Sequence, residues 1–256
     1  MDMKKTILSE KELYLLESLI SGHGYIVTSR QIEAKLGISQ QAVRNLAGKM
    51  VRNGWLVRIK KGYFAIANLE SHSFSNISPL AIAQVLVPNS YVSFEYALNY
   101  HGHFDQLPAK VISIATSNTK RYEFQNTEYL FVKAKPEMME GFKEITIEGQ
   151  HVRIAELEKA LLDFLHFRRD SYTVDLLMEK LKETKNEIDV FKMTDLSSAY
   201  PITLRRRLGF LFDLAGLDSG RLHQNLKGTP GFAKLTKKSN LFNAKWRLYY
   251  EDRFTK

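Results

Sequence analysis

The chain has no cysteine among its 256 residues, which excludes a disulfide framework, a thiol nucleophile and every cysteine-containing zinc or iron-sulfur site. Prolines number only six, and the composition of intrinsic disorder is absent: 44% of residues are hydrophobic and 11% aromatic. That is ample apolar material for one large domain or two modest ones, stabilised by burial alone. No stretch reaches about 18 uninterrupted apolar residues, so no membrane span is expected. Lys4 and Lys5 are followed by Glu10-Lys11-Glu12 rather than by an apolar run, so a secretory signal is not expected and a cytoplasmic location is. Also missing are a P-loop, a G-x-G-x-x-G fingerprint and a G-x-S-x-G elbow, which leaves nucleotide and acyl-transfer chemistry without a recognisable site. No internal repeat or low-complexity tract is present.

What the chain has in excess is positive charge, unevenly placed. The formal charge of +9 divides into +5 over residues 1–70, −4 over 71–203 and +8 over 204–256. A basic head and a basic tail around an acidic middle point to localised polyanion contacts, nucleic acid first; a solvated basic face is the alternative for the tail.

Residues 1–70 predict a winged helix-turn-helix DNA-binding domain. Ser9 and Glu12 form a capping-box pattern ahead of Leu13, Leu16, Leu19 and Ile20, giving a helix over about 10–21. Thr28 caps a second helix carrying Ile32 and Leu36, Gly37 supplies the turn, and Ser39 caps a third that runs to about Asn53. If Ile32, Leu36, Ile38, Val43, Leu46 and Met50 pack across the turn, Gln40, Gln41, Arg44, Asn45 and Lys49 are left on the outer face. Gln and Asn pair bidentately with adenine edges and Arg with guanine, while Lys49 and Arg52 suit the flanking phosphates. Trp55–Ile59 and Tyr63–Ile66 alternate as strands around Lys60-Lys61-Gly62, a hairpin wing whose basic tip suits phosphate or the minor groove. A helix-turn-helix is also a packing unit that serves protein–protein contacts.

LESHSFSNIS breaks the periodicity before Pro79, so residues 71–78 are expected to be a linker and 79–256 a mixed α/β effector domain. Pro79–Val87 and Val92–Tyr100 read as helices, the second with Ser93 near its cap. Segments at 110–116, 121–124, 128–133, 145–147 and 152–154 read as a small, largely antiparallel sheet. Helices dominate after Ala155, with one over about 174–182 and an apolar stripe at Leu204, Leu208, Leu211 and Leu214. The expected class is α+β: a winged helix, then a small antiparallel sheet with a helical C-terminal part.

The winged helix ending in KKGYFAI, then YVSFEYALNYHG, KVISIAT, TEYLFVK, VRIAELEKALLDFL and ITLRRRLGFLFDLAG occur in an order that resembles the AbiEi family of antitoxins, over roughly residues 5–217. AbiEi proteins are the antitoxin halves of type IV toxin–antitoxin, or abortive-infection, systems of phage defence. The resemblance implies an autorepressor whose winged helix binds inverted repeats in the double-stranded DNA of its own promoter. It also implies a C-terminal domain that counteracts a cognate nucleotidyltransferase-like toxin, without requiring a stable complex. Family DNA contacts carry over to Gln40, Gln41, Arg44, Asn45, Lys49, Lys60 and Lys61; no catalytic set and no cofactor is implied. The alternative is a winged-helix regulator whose second domain senses a ligand or protein, with no toxin partner.

An enzyme reading fares poorly. His101-x-His103 with Asp105 is the closest approach to a metal cluster, and a polar loop explains it more simply. Glu33-x-Lys35 and Glu183-x-Lys185 fall in helical patterns, the wrong geometry for a nuclease. Glu156, Glu158, Lys159 and Asp163 are expected on a solvent face. Arg205, Arg206 and Arg207 are the sharpest feature outside the winged helix; at least two should project outward, to bind phosphate, toxin or nucleic acid or to bridge to the acidic middle. In the tail, lysines and arginines alternate with Phe232, Phe242, Trp246, Tyr249 and Tyr250, which either cover a core or stack on a single strand.

Overall fold

A computed structural model of the chain describes residues 8–74, 77–106 and 108–254. Its contacts divide into two compact units, one holding the chain up to Tyr91 with Ala109–Val132 and Glu144–Arg153, the other holding Val92–Pro108, Lys133–Lys143 and the chain from Ile154 onward. The class is α+β, and the N-terminal part is a winged helix.

The first unit opens with α1 (Glu10–His23), β1 (Ile26–Thr28), α2 (Ser29–Leu36), α3 (Gln40–Arg52), β2 (Leu56–Lys60) and β3 (Tyr63–Ile66). Each helix begins where its capping chemistry says it should. Ser9 and Glu12 form a reciprocal capping box, Thr28 and Gln31 form a second, and the Ser39 hydroxyl accepts from Ala42 N. Gly37 in the left-handed region (φ +64°) closes α2 and makes the turn into α3. Leu16, Leu19, Ile32, Val43, Met50 and Phe64 are buried together, so the two helices pack across that turn as the apolar spacing requires. Leu36 is the exception, exposed at the end of α2. The wing is a three-stranded sheet of order β1-β3-β2, because β1 pairs antiparallel with β3. Three residues are too few for a periodic signal, which is why β1 is invisible in the sequence.

After Asn68, whose carboxamide oxygen accepts from the backbone of Glu70 and Ser71, the imidazole of His72 stacks on Trp55 with ring centroids 3.9 Å apart. α4 (Pro79–Leu86) then starts on a Ser78 cap with proline in its first turn.

Further along the chain come β4 (Tyr91–Val92), α5 (Phe94–Tyr100), β5 (Lys110–Ala115), β6 (Lys120–Phe124), β7 (Thr127–Lys133), β8 (Phe142–Ile147) and β9 (Gln150–Ala155). The larger sheet has the order β6-β7-β5-β4-β9-β8, with β6 and β7 an antiparallel hairpin in register from Lys120↔Phe131 to Phe124↔Thr127. It departs from a purely antiparallel sheet where β4 runs parallel to β9, Val92 opposite Ile154. The helix expected from Val92 begins at Phe94, since Tyr91 and Val92 are fully buried strand.

The second unit is completed by α6 (Leu157–Phe167), α7 (Ser171–Glu183), α8 (Val190–Leu196), α9 (Ile202–Ala215), α10 (Gly220–Leu226), β10 (Ala233–Lys234), β11 (Leu241–Asn243) and β12 (Leu248–Tyr250). Two expectations about its charged residues are corrected here. Glu158, Lys159 and Asp163 do not face solvent; they are buried at 6%, 1% and 0% exposure. Asp163 accepts hydrogen bonds from the Lys159 ammonium (2.9 Å), the Tyr200 hydroxyl (2.7 Å) and the Ser93 hydroxyl (2.8 Å). Burial pushes the Lys159 ammonium down while Asp163 opposes the shift, and it pushes the Tyr200 phenol up, keeping it a donor. Glu158 accepts from Asp189 N at 2.9 Å, holding the start of α8. A buried charge is tolerable when its lone pairs are filled in this way, and the helical spacing that puts Asp163 one turn from Lys159 supplies part of the filling.

Ser93 stands at the N-cap of α5, as expected, but its hydroxyl is directed to Asp163 rather than to the helix backbone. Second, Arg205, Arg206 and Arg207 do not present two outward guanidinium groups. Consecutive helical residues are separated by about 100°, so three in a row cannot all avoid an apolar stripe. Arg206 and Arg207 are buried, and main-chain carbonyls already accept from them: Thr229 (3.1 Å) and Pro230 (2.9 Å) from Arg206, Leu165 (2.5 Å) from Arg207. Burial pulls the Arg207 guanidinium down to about 10. Arg205 is half-buried.

Candidate nucleic-acid interface

The third helix of the winged helix presents its polar side as expected. Ser39, Gln40, Gln41, Arg44, Asn45, Lys49 and Arg52 are all exposed, while Val43, Ala47 and Met50 of the same helix are buried. Two helical registers, i+3 and i+4, bring the long side chains together. Gln41 Nε2 donates to Asn45 Oδ1 at 3.2 Å, and the Arg44 guanidinium donates to Gln40 Oε1 (3.4 Å) and Gln41 Oε1 (3.5 Å). These are long, solvent-facing bonds that a base edge can replace without leaving a buried group unpaired. Gln40, Gln41, Arg44 and Asn45 therefore form a pre-arranged fan of exposed donors and acceptors, of the chemical types that can pair with base edges.

Lys49 differs from its neighbours. Its ammonium sits 2.8 Å from Glu12 Oε1 on α1, the same carboxylate that closes the capping box at Ser9. Held by Lys49 first and by the Ser9 backbone next, the Glu12 carboxyl is pulled down to about 2, so it is ionised at neutral pH. Lys49 thus carries a partly neutralised charge, which the chain-local sequence pattern does not reveal because its partner lies 37 residues away.

The wing tip separates the two lysines that the sequence treats alike. Lys60 ends β2 opposite Tyr63, lies half-buried with its ammonium 4.7 Å above the Tyr63 ring, and is shifted down by desolvation. Lys61 is exposed, and Gly62 follows at φ +79°, a turn conformation that a β-carbon resists. The turn is pinned to the start of α2, where Ser29 N donates to Gly62 O at 2.9 Å. Wing and helix-turn-helix thus form one continuous face, cut by a cleft of about 1040 Å³ whose cations are Arg30, Arg44, Arg58 and Lys61, with Glu33 the single acidic lining residue.

Arg30 and Arg58 were missed by the sequence reading. Arg58 occupies an outward position of the alternating wing strand, and its exposed guanidinium lies 5.6 Å from the Phe64 ring centroid. Arg30 lies in the first turn of α2, exposed beside the cleft. The alternation of the wing was a usable signal for Arg58. Nothing local marks Arg30, because its neighbourhood is made by the wing folding back.

The histidine pair does not gather a metal site. His101 Nε2 lies 2.9 Å from Ala155 O and His103 Nε2 3.1 Å from Glu187 Oε2, and among the described residues no three His, Asp or Glu side chains are grouped to hold a metal ion. Among the described residues, no helix is long and apolar enough to cross a membrane.

This combination defines a winged helix-turn-helix protein with a polar, arginine-bearing third helix. Residues 14–67 match the model of a family described as "Transcriptional regulator, AbiEi antitoxin", so the resemblance read from the sequence is shown over the winged helix and a regulator or antitoxin role is supported. That family is one of regulators and antitoxins rather than of enzymes. The fold is similar to the crystal structure of the RV2827C protein from Mycobacterium tuberculosis, with a TM-score of 0.63 over 97% of this chain and 94% of the other. At 14% identity that likeness concerns the fold alone. No curated protein matches the chain.

Proposed function

We propose that the protein is the antitoxin and autorepressor of a type IV toxin–antitoxin system acting in the cytoplasm. In this reading residues 1–70 bind inverted repeats in the promoter of the protein's own operon. α3 enters the major groove, with Gln40, Gln41, Arg44 and Asn45 at base edges and Ser39, Lys49 and Arg52 at phosphates. Lys60 and Lys61 lie against phosphate or the minor groove. The remainder, 79–256 after a linker at 71–78, counteracts a nucleotidyltransferase-like toxin, with or without stable contact. The observation that carries the reading is the exposed Gln40–Gln41–Arg44–Asn45 fan beside a cationic wing, within the segment that matches the antitoxin family.

The test is a gel-shift titration against the DNA upstream of the gene, at two salt concentrations, beside a scrambled duplex. Tight binding that prefers the upstream DNA and weakens with salt is expected, because phosphate neutralisation releases counterions. Arg44→Ala with Lys60→Ala and Lys61→Ala should lower affinity and flatten the log–log salt slope by roughly one unit for each phosphate contact removed. An unchanged slope and affinity would overturn the assignment of this face.

One observation favours a second reading, a regulator with a sensing domain and no toxin. The second unit holds a cleft of about 1040 Å³ with Lys159 and Tyr200 in its wall, alongside Met138, Phe191 and Lys192. A downstream reading frame for a nucleotidyltransferase-like toxin that this protein neutralises decides for the first.

A further inference from the structure

The C-terminal tail folds into a small sheet of order β10-β12-β11 whose two faces differ in kind. One face is core: Ala233, Leu235 and Leu248 are buried, and Tyr250 packs on Phe210 of α9 with ring centroids 4.9 Å apart. The other face is open and aromatic. Tyr249 at its centre is paired across the strands with Phe242 on one side and Lys234 on the other, which places all three side chains on one surface. Phe232, just before β10, completes a row of rings, with centroids 5.4 Å (Phe232–Tyr249) and 5.0 Å (Phe242–Tyr249) apart. Phe232 and Phe242 are 60% and 51% exposed, an unusual state for two phenylalanines that touch the same tyrosine.

We infer that this face is a stacking platform for single-stranded nucleic acid. Bases of an unpaired strand present π-faces that suit an aromatic row on a sheet, whereas bases inside a duplex do not. Charge settles the class of partner. Residues 232–250, which span the sheet, carry five basic side chains and no acidic one. Lys234 lies within the aromatic row, and exposed Arg247, two residues before Tyr249, is oriented by donating from Nε to Gly231 O (2.8 Å). An uncharged carbohydrate would use the rings without the cations; a polyanionic strand uses both. The inference stands apart from the operator-binding face, which shares none of these residues.

Fluorescence anisotropy tests it on the full chain, with labelled single-stranded RNA and DNA of about 12 nucleotides, a length within the usual site range, and with the same DNA annealed into a duplex. The protein carries Arg44→Ala, Lys60→Ala and Lys61→Ala, so that binding by the wing does not contribute. Single strands should bind more tightly than the duplex. Phe232→Ala with Phe242→Ala should weaken single-strand binding by roughly fivefold or more per stacked base, and Phe→Tyr at both positions should retain it. Both rings are largely exposed, and an unchanged thermal midpoint verifies that the fold persists. In a wild-type background the same Phe→Ala pair should leave operator binding as it was. Absence of single-strand binding, a preference for duplex, or single-strand affinity unaffected by the alanine pair would each overturn the platform. The relative affinity for RNA and DNA identifies which strand it takes.

Discussion

At the scale of single residues, the decisive interactions join side chains far apart in sequence. Glu12 illustrates this, since one carboxylate both completes the first capping box and neutralises Lys49 on α3. Glu12→Gln retains a residue able to cap while removing the charge, so it should lower stability only modestly, by about 0.5–1 kcal/mol in urea denaturation. It should also release Lys49 for phosphate and steepen the operator salt slope by roughly one unit. Because the Glu12 carboxyl is held down near 2 against an ordinary 4.5, the stability it contributes is complete above about 4.5 and is lost as the pH falls toward about 2. Acid titration of wild type and Glu12→Gln should therefore coincide near pH 2, separate as the pH rises from about 2 to about 4.5, and run parallel above 4.5, wild type the more stable. Lys159 and Asp163 predict the opposite kind of sensitivity. Lys159→Met alone leaves a buried carboxylate short of a cation and should cost about 3–5 kcal/mol, whereas Lys159→Met with Asp163→Leu should recover much of that loss. Equal stabilities for the single and double variants would show that the ion pair does not hold α6 in place.

At the scale of elements, α9 shows how a sequence block can be specific for a packing reason. Gly209 lies against the indole of Trp246, and a β-carbon at that position would overlap the ring. Trp246 is in turn fixed by donation from Nε1 to Asp213 Oδ2 at 2.6 Å. Gly209→Ala should therefore destabilise by about 1–3 kcal/mol through overpacking and shift the tryptophan fluorescence, the two effects appearing together. A stabilising outcome, as expected for alanine in an unobstructed helix, would refute the contact. The helices of the winged helix were legible because each carries its own punctuation: Ser9, Thr28 and Ser39 at the starts, Gly37 at the turn. β1 and the short helices α8 and α10 were not legible, since three to seven residues give no period to count. α6 misled for a different reason. Its Glu158, Lys159 and Asp163 read as a wet surface, and only the convergence of Ser93, Tyr200 and the α8 terminus on those groups makes burial tolerable.

At the scale of the whole chain, the two basic segments have different structural meanings. The head exposes Arg30, Arg44, Arg58 and Lys61 around one cleft, while the tail buries Arg206 and Arg207 against carbonyls and exposes aromatics instead. If regulation and neutralisation reside in different parts of the chain, the Arg44→Ala, Lys60→Ala, Lys61→Ala variant should lose repression of a promoter reporter yet still protect cells that express the toxin. Loss of protection by this folded variant would argue against that division. The sequence by itself determined the winged helix, the α+β class and the polar side of α3, because capping, helical period and strand alternation act over a few residues and need no distant partner. Only the tertiary structure decided which charges face water. Lys49, Asp163 and Arg207 are each defined by a group brought from 37 to 42 residues away, since the electrostatic cost of burying a charge depends on the partners that surround it.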